Sequence, residues 1–230
     1  MDEASDQTTR EVGENLHELR DRVAAAARRL ASEGLVIGTA GNISARAGET
    51  VAITPTGAAL ERVTAEQIAL VDLAGQRLAG ELEPSSELAL HLGVYDRYDA
   101  GAVVHTHAPM ATALSCVIDE LPVVHYQMLL LGGSIPVAPY ATFGTPELAE
   151  ATLDALRERT AALMANHGAI AYAPDLDAAV EHSLLLEWAC GVYWHARAIG
   201  EPRTMDRAQT QAVLEAAISR RYGSGAESGG

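Results

Sequence analysis

Two histidines separated by one residue, His105 and His107, stand at the end of an apolar run. Side chains alternate between the faces of a strand, so a strand ending here points both imidazoles to one side. Neutral imidazole is a standard ligand for a borderline-soft divalent cation. A pair of hydrogen-bonded core histidines explains the same pattern, so this stretch leaves a metal site and a structural pair both open.

A third imidazole, His167, lies in the turn Asn166-His167-Gly168 between two apolar segments that read as strands. Three histidines with an open fourth position are typical of a catalytic metal site, because a structural site is closed by a fourth protein ligand. Zinc is the first choice on ligand type, and other divalent metals accept the same ligands.

Ser85, Ser86 and Glu87 come directly before a helical pattern. Hydroxyls and free amides at a helix N-terminus favour an anion. Glu87 is explained either as an acid that complements the helix dipole or as a general acid or base near the metal. His91 lies four residues later and shares that helix face, so a metal pair of Glu87 and His91 stays an alternative.

Two further segments, 38–44 and 51–57, combine glycines with small polar residues. This composition brings backbone amides close to a ligand. An ordinary turn explains either segment alone. Together with the serines before Glu87, the two loops favour an anion-binding site.

The 230 residues suit one domain over 8–222, with residues 1–7 and 223–230 as flexible tails. Lys and Arg number 16 against 31 Asp and Glu, and the formal charge of −15 argues against nucleic-acid or anionic-membrane partners. A phosphorylated substrate then needs local amides and hydroxyls. No apolar span of about twenty residues occurs, and Cys116 and Cys190 form no disulfide framework. We therefore expect a cytoplasmic protein.

The motifs together resemble the class II aldolase/adducin family over nearly the whole chain, and within it the branch that acts on L-fuculose 1-phosphate. The motifs are GTAGN (38–42), ITPTG (53–57), PSSE (84–87), HTH (105–107), YATFG (140–144) and NHG (166–168). The resemblance implies an α/β fold, a three-layer α/β/α sandwich around a central, largely antiparallel sheet. It also implies a homotetramer with active sites between subunits.

Carried onto this chain, the resemblance implies one zinc ion per subunit, held by His105, His107 and His167. Glu87 then approaches the metal in the resting enzyme and serves as acid and base when substrate binds. The resemblance also implies a phosphate cradle, formed by Thr39, Gly41, Asn42, Thr56, Gly57, Ser85 and Ser86.

Three aromatic residues complete the implied site. Tyr126 matches a catalytic tyrosine that the neighbouring subunit donates to the aldehyde oxygen. Tyr222 matches a second catalytic tyrosine, on a mobile C-terminus that closes over the site. Phe143 matches a wall on the aldehyde side.

The function implied is a metal-dependent aldolase that reversibly cleaves a ketose 1-phosphate, L-fuculose 1-phosphate or a relative, to dihydroxyacetone phosphate and a small aldehyde. The sequence contains no Lys, which excludes aldol chemistry through a lysine Schiff base. The alternatives are a methylthioribulose-1-phosphate dehydratase, a ribulose-phosphate 4-epimerase and a non-catalytic adducin-like module. The sequence does not choose among related ketose phosphates.

Overall fold

A nine-stranded sheet forms the centre of the fold. The computed structural model describes the backbone of residues 3–220 and the side chains of residues 15–220. The strand order is β4-β3-β2-β1-β5-β9-β8-β7-β6, and neighbouring strands are antiparallel except β7 with β8. The strands are β1 (Asn42–Ala47), β2 (Thr50–Ile53), β3 (Ala69–Asp72), β4 (Arg77–Ala79), β5 (Ala102–Thr106), β6 (Glu120–Leu121), β7 (Ile135–Ala138), β8 (Ala161–Met164) and β9 (Gly168–Ala173).

Helices cover both faces of this sheet. They are α1 (Glu3–Ser32), α2 (Leu88–Arg97), α3 (Pro109–Ser115), α4 (Pro146–Ala155), α5 (Leu176–Ile199) and α6 (Arg207–Ser219). One core lies under α1, α3 and α5, and a second lies under α2 and α4. The predicted three-layer α/β/α sandwich is confirmed.

Strand alternation decides which side chains face the helix α2. Val104 on β5 packs in the core under α1 and α5, so His105, the next residue, points to the opposite face. On β1, Ile43 joins that same core, and Asn42 and Ser44 therefore point with His105. The face toward α2 thus carries buried polar residues where a strand core ordinarily carries valines.

The apolar run over 121–126 predicts a strand that ends in His125 and Tyr126, and this prediction is largely wrong. Only Glu120–Leu121 form β6, and residues Tyr126–Leu131 form a 3₁₀ helix. Pro122, which has no N–H to donate to a ladder, follows β6 directly, and the His125 side chain accepts a hydrogen bond from the backbone N–H of Gln127 at the start of the 3₁₀ helix. Tyr126 therefore opens a helical turn instead of closing a strand.

The structure places other boundaries near their predicted positions. Helix α1 starts before residue 8, and α4 ends at Ala155, ahead of the predicted end near Arg159. Glu158 has a left-handed φ of 62°, which does not continue a helix. Within the described range, no helix is long and apolar enough to cross a bilayer. The predicted tail over 223–230 lies outside the described residues.

Candidate metal centre and active site

His105, His107 and His167 bring their imidazole rings together at the end of β5. The ring centroids lie 4.8 Å apart for His105 and His107 and 4.9 Å apart for the other two pairs. The nitrogens available as ligands all lie within 4.8 Å of one another. The structure thus assembles the three histidines that the sequence singles out.

The turn between β8 and β9 sets the position of His167. Asn166 adopts a left-handed φ of 54°, which an Asn tolerates better than most residues. At Gly168 an added Cβ would lie 2.2 Å from the carbonyl oxygen of Thr106. Only glycine lets the start of β9 approach β5 this closely, where Thr106 pairs with Ala169. The close approach places His167 beside the end of β5.

A backbone carbonyl fixes the tautomer of His105. The His105 Nδ1 donates a hydrogen bond of 2.9 Å to the oxygen of Ala169, so its Nε2 presents a lone pair. That Nε2 lies 3.0 Å from the Nε2 of His107. Ring nitrogens aimed at one small volume are the arrangement that a metal ion requires.

Glu87 faces the three imidazoles from the start of α2. It is the N-cap residue of this helix, yet its side chain makes no capping hydrogen bond, so the carboxylate is free to point at the histidines. Its Oε2 accepts a hydrogen bond of 2.8 Å from Asn42 and lies 3.2 Å from the His105 Nε2. Its Oε1 lies 3.5 Å from the His167 Nε2. That buried Oε1 has no hydrogen-bond partner among the described residues.

The surroundings of the site favour neutral imidazoles at His107 and His167 and an ionised carboxylate at Glu87, because the pKa values of all three groups are lowered. Burial, reinforced by the neighbouring imidazoles, lowers the pKa of His107 to about 4 and lowers the pKa of His167 as well. Burial raises the pKa of Glu87, but His105, the Asn42 hydrogen bond and His167 outweigh it, so this pKa lies below its ordinary value. These are the protonation states that bind a divalent cation.

The donor set fits a divalent metal. Three imidazole nitrogens leave an open coordination position, as catalytic zinc sites do. The Oε1 of Glu87, which has no hydrogen-bond partner among the described residues, also supports a metal site. A buried carboxylate oxygen without a hydrogen bond is costly unless a cation satisfies it. His105, His107 and His167 would hold the ion, with Glu87 beside it.

A cavity of about 410 Å³ opens in front of the three histidines. His107, His167 and Glu87 form its floor, and Phe143 lies at its rim. Every residue of the predicted phosphate cradle lines this cavity: Thr39, Gly41, Asn42, Thr56, Gly57, Ser85 and Ser86. The three polar loops of the sequence therefore converge on one space.

The lining of this cavity, as far as the described residues go, includes no Lys or Arg. Two of its glycines, Gly41 and Gly57, have φ values of 88° and 68°, which L side chains rarely adopt. At Gly41 a Cβ would also lie 2.8 Å from a methyl group of Val36 and 3.0 Å from the backbone oxygen of His105. An anion in this cavity would be bound by hydroxyls and amides, with the metal as its neighbour.

Of the three aromatic residues predicted for the site, only Phe143 is seen at the cavity of its own chain. Phe143 reaches the cavity and is 70% exposed. Tyr126 is 43% exposed and lies beside Val213 and Ala217 of α6, away from the cavity of its own chain. Tyr222 lies outside the described residues.

His91 does not join the metal ligands. Its Nε2 contacts the Asn42 Oδ1 at 2.5 Å and its Nδ1 contacts Ser44, so both ring nitrogens are occupied. The alternative metal pair of Glu87 and His91 is therefore wrong. Sequence reasoning missed Ser44 and Tyr95, which continue this contact. Their signal was the spacing of 87, 91 and 95 on one helix face opposite 42 and 44 on a strand.

Comparison with known proteins identifies the family. The family model described as "Class II Aldolase and Adducin N-terminal domain" matches residues 21–194. This range covers most of the chain and includes all three histidines and Glu87. The chain belongs to the class II aldolase and adducin family.

Individual relatives carry aldolase names. The chain is 40% identical over 199 residues to the 5-methylthioribulose-1-phosphate/5-deoxyribulose-1-phosphate aldolase of Rhodospirillum rubrum, covering 86% of this chain and 90% of the relative. It is 43% identical over 171 residues to the L-fuculose phosphate aldolase of Escherichia coli, covering 74% and 79%. A solved L-fuculose 1-phosphate aldolase superposes with a TM-score of 0.83 at 33% identity, covering 87% of this chain and 96% of that one. The predicted class, a class II aldolase, is confirmed.

Proposed function

We propose that the chain is a zinc-dependent aldolase that reversibly cleaves a ketose 1-phosphate into dihydroxyacetone phosphate and a small aldehyde. The observation that carries the proposal is the ionised carboxylate of Glu87, which faces the nitrogens of His105 and His167 at 3.2 and 3.5 Å. Glu87 would act as a base beside the proposed metal site, in a cavity whose uncharged hydroxyls and amides can bind an anion. These groups are what an aldol reaction needs when no lysine forms a Schiff base.

A bound zinc ion would act as a Lewis acid toward the carbonyl oxygen of the substrate. In the condensation direction, the Glu87 carboxylate removes a proton from the hydroxymethyl carbon of dihydroxyacetone phosphate, and in cleavage it returns that proton to C3. The Asn42 hydrogen bond to Oε2 holds the carboxylate during both transfers. Ser85, Ser86 and Thr56 bind the phosphate.

The names of the relatives support three related substrates. The Rhodospirillum relative points to 5-deoxyribulose 1-phosphate or its methylthio analogue, and the Escherichia coli relative points to L-fuculose phosphate. These ketose phosphates differ in the aldehyde part, which faces Phe143 in the proposed orientation. We place 5-deoxyribulose 1-phosphate first, because that match spans more of both chains.

We further propose a homotetramer in which Tyr126 serves the site of a neighbouring subunit. Tyr126 is exposed and does not line the cavity of its own chain. Trp188, Trp194 and Ile199 of α5 are 46%, 47% and 91% exposed, and a subunit contact on this helix would bury their apolar surface. In cleavage Tyr126 would take up the proton that the C4 hydroxyl loses as its oxygen becomes the aldehyde oxygen, and in condensation it would return that proton to the same oxygen.

The proposed location is the cytoplasm. The described part of the chain holds two free thiols, Cys116 and Cys190, which suits a reducing compartment.

The decisive experiment measures dihydroxyacetone phosphate released from 5-deoxyribulose 1-phosphate and from L-fuculose 1-phosphate, with and without a chelator. Chelator-sensitive release supports a metal aldolase, and the ratio of the two rates ranks the substrates. One phosphorylated product of unchanged carbon number, without triose phosphate, would contradict the aldolase and indicate a dehydratase or epimerase. No turnover in a metal-free protein would indicate a non-catalytic module.

A further inference from the structure

A continuous line of buried polar side chains leads from Glu87 away from the cavity. The Asn42 Nδ2 contacts Glu87 at 2.8 Å, and the Asn42 Oδ1 contacts the His91 Nε2 at 2.5 Å. The His91 Nδ1 contacts the Ser44 Oγ at 2.7 Å, which contacts the Tyr95 hydroxyl at 2.7 Å. Glu87 and Asn42 line the cavity, whereas His91, Ser44 and Tyr95 neither line it nor belong to the three histidines of the proposed metal site.

Two regular elements produce this line. Asn42 and Ser44 are two residues apart on β1 and share one face of the strand. Glu87, His91 and Tyr95 are spaced by four residues at the start of and along α2, so they share one helix face. The two rows meet between the helix and the sheet, where each polar group finds a partner from the opposite row.

The chemistry of the groups fixes the direction of every hydrogen bond. Because Asn42 donates from Nδ2 to the carboxylate, its Oδ1 faces His91 and can only accept, so the His91 Nε2 carries the hydrogen. The neutral ring then accepts at Nδ1 from the Ser44 hydroxyl. Ser44 accepts in turn from the Tyr95 hydroxyl. All four bonds donate toward Glu87.

The reversed amide is disfavoured as long as His91 donates. Turning Asn42 over would place its Oδ1 against the Glu87 carboxylate and its Nδ2 against a ring N–H. Both contacts would then join like partners, acceptor to acceptor and donor to donor, inside the protein. Each such contact leaves buried polar groups unsatisfied, which is costly.

Burial supports this order of donors. His91 and Ser44 are fully buried, and Tyr95 is nearly so. Burial is the main cause that lowers the pKa of His91 to about 3, so the ring is neutral and carries a single N–H. Burial also raises the pKa of Tyr95, so its hydroxyl keeps the hydrogen that it donates.

We propose that His91 is a positioning residue: its Nε2–H sets the orientation of the Asn42 amide, and that amide holds the Glu87 carboxylate beside His105. The proposal rests on the proposed role of Glu87 as acid and base. Since His91 touches neither the cavity nor the three histidines, its loss affects the proton-transfer step and leaves substrate binding and metal content in place.

The test uses three variants at position 91 in the zinc-loaded full chain. The first, His91→Phe, keeps the ring and removes both nitrogens. The second, His91→Gln, keeps a donor where Nε2 lies, and the third, His91→Asn, places its amide nearer to Nδ1. His182→Phe is the matched control, because His182 is a half-buried helical histidine that bonds only the backbone oxygen of Tyr172.

For His91→Phe we expect kcat to fall about 10–100-fold, the usual cost of losing an outer-shell partner, with KM and zinc content unchanged. We expect His91→Gln to restore most of this loss, His91→Asn to restore little, and His182→Phe to match the wild type. An unchanged kcat in folded His91→Phe would overturn the proposal. So would a Gln variant no better than the Phe variant, or loss of zinc from the Phe variant.

A second measurement does not depend on activity. The ¹⁵N shifts of the imidazole nitrogens in the wild-type protein report which nitrogen of His91 carries the hydrogen. We expect Nε2–H, and an Nδ1–H tautomer would overturn the proposed order. If the wild-type protein cleaves no ketose phosphate, the proposed function fails by that assay, while the tautomer still decides whether His91 sets the Asn42 amide.

Discussion

The inner wall of the site, formed by Asn42, Glu87 and His105, differs from two outer aromatic residues that we call the rim: Phe143, which lines the cavity, and Tyr126, which lies outside the cavity of its own chain and belongs to a neighbouring site only in the proposed assembly. The three inner side chains are buried, and each makes a hydrogen bond within the chain. The two rim residues are 70% and 43% exposed. The inner wall lies on strands and a helix start, whereas the rim lies on a loop and a 3₁₀ helix.

The difference indicates that one chain alone positions the groups proposed for metal binding and proton transfer, whereas it leaves the outer aromatic residues exposed. Groups that hold a metal and move a proton need fixed geometry, and packed strands supply it without help from another chain. The exposed residues Phe143 and Tyr126 lie where another subunit could cover them in the proposed assembly. In the proposed assembly, proton transfer at C3 beside the metal site belongs to the inner wall, and contact with the aldehyde part of the substrate belongs to the rim.

Removing a metal ligand gives the largest effect. We expect His107→Ala to abolish both stoichiometric zinc and aldehyde release, because only two imidazoles remain. Folding stability should change little, since His107 lies at a cavity and not in the core. Elemental analysis and a triose-phosphate assay measure the two losses. His182→Ala is the control, and retained zinc with full activity in His107→Ala would refute the ligand assignment.

Removing the charge of the inner base gives the next largest effect. We expect Glu87→Gln to retain zinc on three imidazoles and to lose about 10²–10⁴-fold in kcat, the usual contribution of a positioned acid or base. The control is Glu83→Gln, which removes an exposed acid paired with Arg77 and should leave kcat unchanged. Glu87→Gln with wild-type kcat would contradict the role of the carboxylate.

A smaller effect is expected at the rim. We expect Tyr126→Phe to lower kcat about 100-fold at most, because water can replace a proton carrier in part. Mixing Tyr126→Phe with His107→Ala subunits tests the assembly. If Tyr126 acts on a neighbouring subunit, mixed oligomers regain activity that neither variant has alone. Absence of recovery in verified mixed oligomers would place Tyr126 outside the neighbouring site.

The smallest effect concerns pH. Since burial lowers the pKa of His107 to about 4 and lowers that of His167, protons compete weakly with the metal above these values. We expect the zinc affinity of the metal-free protein to be nearly flat from pH 8 to 6 and to decline below about pH 5. Competition with a chelator measures it, and a peptide with ordinary imidazoles is the reference. A steep loss between pH 8 and 6 would contradict the lowered pKa values of His107 and His167.

Much of the inner wall could be predicted from the sequence because it depends on local rules. Strand alternation places His105 and His107 on one face, and the Gly-containing turn around His167 places a third imidazole at a strand end. The position of Glu87 after two serines, at the start of a helical pattern, indicates an anion-binding helix start with an acidic side chain beside it. Each of these patterns spans only a few residues, so it can be interpreted from the sequence without knowledge of the fold.

The position of Tyr126 and the hydrogen bonds through His91 could not be predicted, because they depend on contacts between distant segments of the chain. The apolar pattern over 121–126 predicts Tyr126 at a strand end, but β6 ends at Leu121 and Tyr126 begins a 3₁₀ helix. The line through His91 joins β1 to α2 across more than forty residues of sequence. Which nitrogen donates is set by Asn42 and Ser44 together, and no local pattern contains that information.

A phosphorylated substrate approaches a molecule whose formal net charge is −15, through a cavity whose described lining has no Lys or Arg. The long-range field therefore repels the substrate, and attraction begins only near the metal and the helix start. Added salt shortens the range of that repulsion to about 10 Å at 0.1 M. Encounter with substrate should then become faster as ionic strength rises, the reverse of the behaviour of enzymes that collect phosphates through a basic funnel.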